Sequence, residues 1–184
     1  MLKTINRLVG KSFLKVYKRS KRKAFNPSLE HCLATTRSML KQSKYCFLIS
    51  QSERQSPSAR MVQPIIDFET LDIWLGTDPT LRKAKEIEQN PYVTLAFGND
   101  KEDANLIMYG KAHIVQDLQE RKKHWVNSWF LFFPGGPASD DFISIRVEPF
   151  EMELMNFAKN LVDEPFGLKP VKIIKDQAQW RVRY

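Results

Sequence analysis

Apolar and polar positions alternate in short runs through most of the chain, and helical spacing is confined to a few places. "YCFLIS" (Tyr45 to Ser50) is a short apolar strand, "QSERQSPS" a polar turn, and "ARMVQPII" (Ala59 to Ile66) a second strand, so the three predict a hairpin. "LDIWLGT" (Leu71 to Thr77) predicts a third strand after the polar turn Asp67 to Thr70. "YVTLAF" and "LIMYGKAHIV" predict two more, separated by the charged loop "GNDKEDAN". "FISIRVEPFEMELM" alternates in two pieces around Glu148-Pro149, as paired strands would, and "VKIIK" with "QWRVRY" predicts a closing hairpin.

Helical spacing appears four times. Leu2, Ile5, Val9, Phe13 and Val16 recur at three- and four-residue steps opposite a lysine-rich face, with Gly10 as an interruption. Asn26-Pro27-Ser28 opens a second helix. A third runs from about Thr80 to Gln89 and stops at Asn90-Pro91, because the residue before a proline is pushed out of helical geometry. The fourth runs from Leu118 to about Phe130 and ends at "FFPGGP". Six or more short strands with few helices between them point to an antiparallel barrel, since parallel strands would need a crossover helix almost every time.

Charge divides the chain in two. The formal charge is +8, yet residues 1–29 hold nine Lys and Arg and no acid, which leaves 20 basic against 21 acidic residues from Glu30 onward. We therefore expect a basic, helical N-terminal arm over 1–29 and one domain over 30–184. The arm fits a helix packed on its own domain or on a dimer mate, with weak contact to a membrane surface as the alternative. No specific nucleic-acid contact is expected from a body so nearly neutral. Cys32 and Cys46 cannot form a disulfide framework, and a soluble protein of a reducing cytoplasm is expected. His31, His113 and His124 are far apart, with no carboxylate at ligand spacing, and read as packed or surface histidines. Trp74, Trp125, Trp129 and Trp180 read as core or interface aromatics, and Asp140 and Asp141 as turn caps.

The stretch "GTDPTLRKAKEIEQNP" (Gly76 to Pro91) carries the candidate chemistry. A strand ends at Gly76-Thr77, turns through Asp78-Pro79 and enters a helix bearing Arg82 and Lys83. Unpaired amides and the helix dipole favour an anion at such a terminus, and the two cations add to it. The plain alternative is a solvated helix whose Lys83, Lys85, Glu86 and Glu88 trade surface ion pairs.

With "ARMV" upstream and "YGKAHIVQD" and "FFPGGP" downstream, this order of motifs resembles the pyridoxamine 5′-phosphate oxidase-like family, in its general stress protein 26-like branch, over about Leu40 to Met155. The resemblance implies a fold that is mainly β with peripheral helices, a six-stranded antiparallel split β-barrel. It also implies a homodimer that binds FMN in two clefts at its interface. Carried over by position, Arg60 would contact the flavin or its phosphate, and the backbone of Met61 and Val62 would face the ring. Thr77 matches the family threonine, Arg82 and Lys83 match its phosphate-binding pair, and Asn105 falls where the oxidases place a longer amide, glutamine.

The chain departs from the true oxidases where they hold the vitamin. Ile65 stands where they have a lysine, Met155 where they have a tryptophan, and "LVD" (Leu161 to Asp163) where they have R-L-H. This argues against vitamin B6 oxidation and for an FMN-dependent oxidoreductase of another substrate. A non-catalytic FMN-binding stress or storage protein and a deazaflavin-dependent reductase of the same fold are the alternatives.

Overall fold

A computed structural model of the chain describes residues 2–51, 56–162 and 169–183, with side chains from Phe13 onward. The tip of the expected "QSERQSPS" turn and Asp163 lie outside the described residues. The described elements are helices α1 (Leu2–Ala24), α2 (Leu29–Gln42), α3 (Arg82–Gln89) and α4 (Leu118–Lys123), together with nine strands. The strands are β1 (Cys46–Gln51), β2 (Pro57–Val62), β3 (Ile65–Ile66), β4 (Ile73–Thr77), β5 (Tyr92–Asn99), β6 (Ala104–Val115), β7 (Ile143–Asn156), β8 (Val171–Asp176) and β9 (Gln179–Arg183).

All pairings are antiparallel, in the order β2-β1-β5-β6-β7-β4-β3, with the β8–β9 hairpin joined to β7. β2 begins this path and β3 ends it, yet only Gln63 and Pro64 separate them. The three Cα steps from Val62 to Ile65 span at most about 11 Å, so the sheet has to curl until its ends meet. The result is a mainly antiparallel split barrel with peripheral helices, as the family resemblance implies. The interior is filled by Leu48, Leu95, Leu106, Met108, Ile145, Met152, Leu154 and Ile173, each fully buried. α2 adds Cys32, Met39 and Leu40 to this core, and Ser28 caps it by accepting from the His31 amide. Burial pushes the thiols up, Cys32 to about 11 and Cys46 to about 12, so both behave as small core hydrophobes.

Three elements differ from the expected pattern. Ala59 to Ile66 is two strands, because Pro64 has no amide to donate and the chain crosses there from one end of the sheet to the other. β7 is one continuous strand through Glu148-Pro149. Its register against β6 slips between Tyr109 and Gly110, which pair with Glu151 and Pro149 and leave Phe150 as the extra, bulged residue. A Cβ on Gly110 would sit 2.6 Å from Val147 Cγ1 and 2.9 Å from the Glu148 carbonyl oxygen, so only glycine fits opposite the bulge. The expected long helix after Leu118 ends at Lys123, and a separate 3₁₀ turn covers Asn127–Leu131. Packing overrides its helical spacing: His124 stacks on Trp74 at 3.7 Å, and Trp125 meets Trp129 and Phe142 edge-on.

Candidate functional site

Where the two ends of the sheet meet, a cleft of about 480 Å³ opens between β2, the end of β4, the start of α3 and the 3₁₀ turn. Met61 and Val62 line it from β2 with Gln63 just after, Gly76 and Thr77 from β4 with Asp78 just after, and Lys83 from α3 with Leu81 just before it. Trp129, Phe132 and Phe133 form an aromatic wall, and Tyr45 also lines the cleft. Gly76 is required by that wall. A Cβ there would come within 2.8 Å of Phe142 Cε2 and 2.9 Å of Trp129 Cζ3, both rings being buried. Gly76→Ala is therefore expected to lower stability by about 1–3 kcal/mol through overpacking, read as a fall in thermal midpoint. An unchanged midpoint would show that the rings can move aside.

The turn into α3 is built by Asp78, whose Oδ1 accepts from the Thr80 amide at 2.7 Å and from the Thr80 hydroxyl at 2.6 Å. These hydrogen bonds hold its carboxyl below the usual carboxylate range. Leu81, the N-cap, supplies no side-chain acceptor, so the first amides of α3 are left without a cap. Lys83 is half-buried on the cleft side and has no ion pair among the described residues. Burial lowers its pKa, and the nearby charge of Arg60 lowers it further. A half-desolvated cation beside open helix amides is a favourable place for an anion, because an anion would relieve that penalty.

Arg82, one residue earlier, points elsewhere. Consecutive helical residues diverge by about 100°. Its side chain is 70% exposed, outside the cleft, with Nε 3.3 Å from Glu86 Oε1. Arg60 also stays outside the cleft lining. It is ion-paired to Glu86 and donates to Ser50 Oγ and Ser58 Oγ. Glu86, whose side chain is 2% exposed, also accepts from the Ser50 hydroxyl at 2.5 Å. Burial alone would raise the Glu86 carboxyl, but the hydrogen bonds from Ser50 and Arg60 and the two arginine charges outweigh it and hold it low.

Of the seven residues carried over from the resemblance, Met61, Val62, Thr77 and Lys83 line the cleft together. Arg60 and Arg82 converge on Glu86 behind it, and Asn105 lies on β6 opposite Gly98, with a buried side-chain oxygen that has no hydrogen-bond partner among the described residues. Sequence reasoning missed Glu86, because a Glu four residues after an Arg on a polar helix reads as a surface pair. It also missed the aromatic wall; the adjacent Phe132-Phe133 ahead of Pro134-Gly135-Gly136 was its only signal. His31 contacts the Lys159 carbonyl, His113 is exposed and His124 is packed on Trp74. Among the described residues no group of His, Cys, Asp or Glu could hold a metal ion, and no helix is long and apolar enough to cross a membrane.

Residues 32–172 match the family described as "Pyridoxamine 5′-phosphate oxidase like". General stress protein 26 of Bacillus subtilis is 34% identical over 91 residues, covering 47% of this chain and 63% of that protein. A crystal structure of a protein related to general stress protein 26 from Clostridium acetobutylicum superposes with a TM-score of 0.66 at 17% identity, over 80% of this chain and 96% of that one. A pyridoxamine 5′-phosphate oxidase-related, FMN-binding protein from Nostoc punctiforme superposes with a TM-score of 0.60 at 14% identity, over 83% and 93% of the two chains.

Proposed function

Because the chain belongs to the pyridoxamine 5′-phosphate oxidase-like family, we propose that its cleft binds FMN and that the protein is an FMN-dependent oxidoreductase of a substrate other than pyridoxamine phosphate. The observation that carries this reading is Lys83, a half-buried cation without a counter-ion among the described residues, beside the uncapped start of α3 and facing a largely apolar cleft. These residues fit the group: Lys83 and the first amides of α3 would hold the 5′-phosphate. Val62, Met61 and the aromatic wall would exclude water from the ring. The Thr77 hydroxyl, which donates to the Asp78 carbonyl at 3.2 Å, fixes the loop between them. Bound FMN would supply two-electron transfer at its N5.

Arg60, Arg82 and Glu86 would position Lys83 and the helix rather than touch the ligand. Asn105 would reach the flavin only from a second subunit or from the far side of the sheet. A homodimer fits this reading, because Phe47 and Met61, adjacent in register, are 54% and 62% exposed beside the cleft. Ile65 on β3, where the true oxidases have lysine, lacks a charge for a second phosphate. This supports a different substrate.

Purified protein titrated with FMN is expected to bind it stoichiometrically and turn yellow; a colourless protein that takes up none would overturn the reading. The affinity should depend on pH. The phosphate becomes a dianion above about pH 6, so binding strengthens through that range. Lys83 is depressed in the free protein and would be raised by the bound anion. Its contribution is thus complete below its free value and is lost as pH rises beyond that value and through the raised value of the complex. Riboflavin, without a phosphate, should lack both limbs.

A further inference from the structure

Helix α1 presents a surface that the rest of the described chain leaves uncovered. One side of it is seated: Tyr17 and Lys21 lie against Phe157, Asn160 and Val162, and Lys21 Nζ donates to Asn160 Oδ1 at 2.9 Å. Phe13 and Val16 project beside that seam, 70% and 69% exposed. The same three- and four-residue spacing continues through Val9, Ile5 and Leu2 in the sequence. The opposite side carries exposed Lys15, Arg19, Arg22 and Lys23, which with Lys18 line an open basic groove. The last turn alone holds Lys21, Arg22 and Lys23, and residues 1–29 contain no acid.

We infer that α1 lies flat on an anionic lipid bilayer, with Phe13 and Val16 entering the headgroup boundary and the flanking Lys and Arg pairing with lipid phosphates. Charge decides the occupant. A second copy of α1 laid on this stripe would bring two acid-free, cation-rich helices together, whereas an anionic membrane complements them. A nucleic acid would satisfy the cations but would gain nothing from an exposed valine beside a phenylalanine. The helix would lie in the interface and not cross it, because nine Lys and Arg recur through residues 3–23 of the sequence. The body stays anchored through the Tyr17–Lys21 side, which leaves the barrel cleft free.

The full-length chain is sedimented with sucrose-loaded vesicles of phosphatidylcholine alone or with one-third phosphatidylglycerol. Binding about tenfold tighter to the anionic vesicles is expected, weakening as salt is raised. Phe13→Asp with Val16→Asp should lower that binding about tenfold, and Arg19→Gln with Arg22→Gln and Lys23→Gln should lower it by at least as much. All these positions are exposed, so circular-dichroism melting curves should match the parent and show the variants folded. No preference for anionic vesicles would overturn the proposal. So would loss of binding in the charge variant alone, which indicates loose cationic adhesion. Binding to a DNA duplex as tight as to vesicles, and indifferent to Phe13 and Val16, would reassign the surface to nucleic acid. A drop in oligomeric state in the Phe13→Asp, Val16→Asp variant would reassign it to a second copy of the chain.

Discussion

Replacing Arg82 and Lys83 together with Ala is expected to weaken FMN binding by about 2–4 kcal/mol, because a charge-assisted hydrogen bond contributes about 1.5–3 kcal/mol and the helix amides still pair part of the anion. That is a rise in Kd of about 30- to 1000-fold. Most of the loss should appear in Lys83→Ala alone. Lys83 faces the cleft and carries the desolvation that an anion would relieve, whereas Arg82 is 70% exposed and turned towards Glu86. Riboflavin should lose far less than FMN, so the double variant should scarcely distinguish the two ligands. Fluorescence titration of both ligands, with a thermal melt to show that the fold persists, gives the answer. An unchanged FMN Kd would make the pair a solvated helix face, and equal losses for FMN and riboflavin would place Lys83 at the ring instead of the phosphate.

The elements that were legible in the sequence are those governed by local chemistry. Ser28 ahead of Leu29 states a helix cap, Asn90-Pro91 ends α3, and the paired strand-like runs "VKIIK" and "QWRVRY" state a hairpin. What was not legible depends on residues brought together from far apart. Glu148-Pro149 looks like a break between strands, but the cause of the irregularity sits on another strand, at Gly110, where the missing Cβ admits Val147 and the Glu148 carbonyl. The run after Leu118 has helical spacing throughout, yet Trp74 and Phe142 capture His124 and Trp125 and end α4 early.

The candidate site divides in the same way. The pattern proposed to bind the phosphate is contiguous from Gly76 to Lys83 and can be read directly. The sharing of labour between its two cations cannot. It follows from a buried carboxylate four residues further along the helix and from an arginine on β2 that reaches the same carboxylate across the barrel wall. Alternation along β2 turns Arg60 inward and Met61 outward, so one short motif serves two faces of the sheet.

That carboxylate should have the largest effect on stability. Glu86→Ala would leave Arg60, whose side chain is 17% exposed, without its counter-ion and would deprive the buried Ser50 hydroxyl of its acceptor. Breaking a buried pair from one side costs about 3–5 kcal/mol, and partial exposure of the arginine places this case near about 3 kcal/mol. For a domain of this size that corresponds to a fall of about 6–12 °C in thermal midpoint. Glu86→Gln keeps the shape and an acceptor and should lose less. Arg60→Met with Glu86→Leu, which removes both charges, should recover much of the loss because neither partner is then left alone. The pH dependence follows from the depressed Glu86 carboxyl. Its contribution is complete above the unfolded-state value of about 4.3 and disappears as pH falls through the lower folded value. Acid unfolding of Glu86→Gln should therefore be less steep with pH than that of the parent. Denaturant melts between neutral and acid pH test both statements. A Glu86→Ala midpoint within a degree of the parent would mean that Arg60 finds solvent or another acceptor at little cost, and the positioning role of Glu86 behind Lys83 would fall with it.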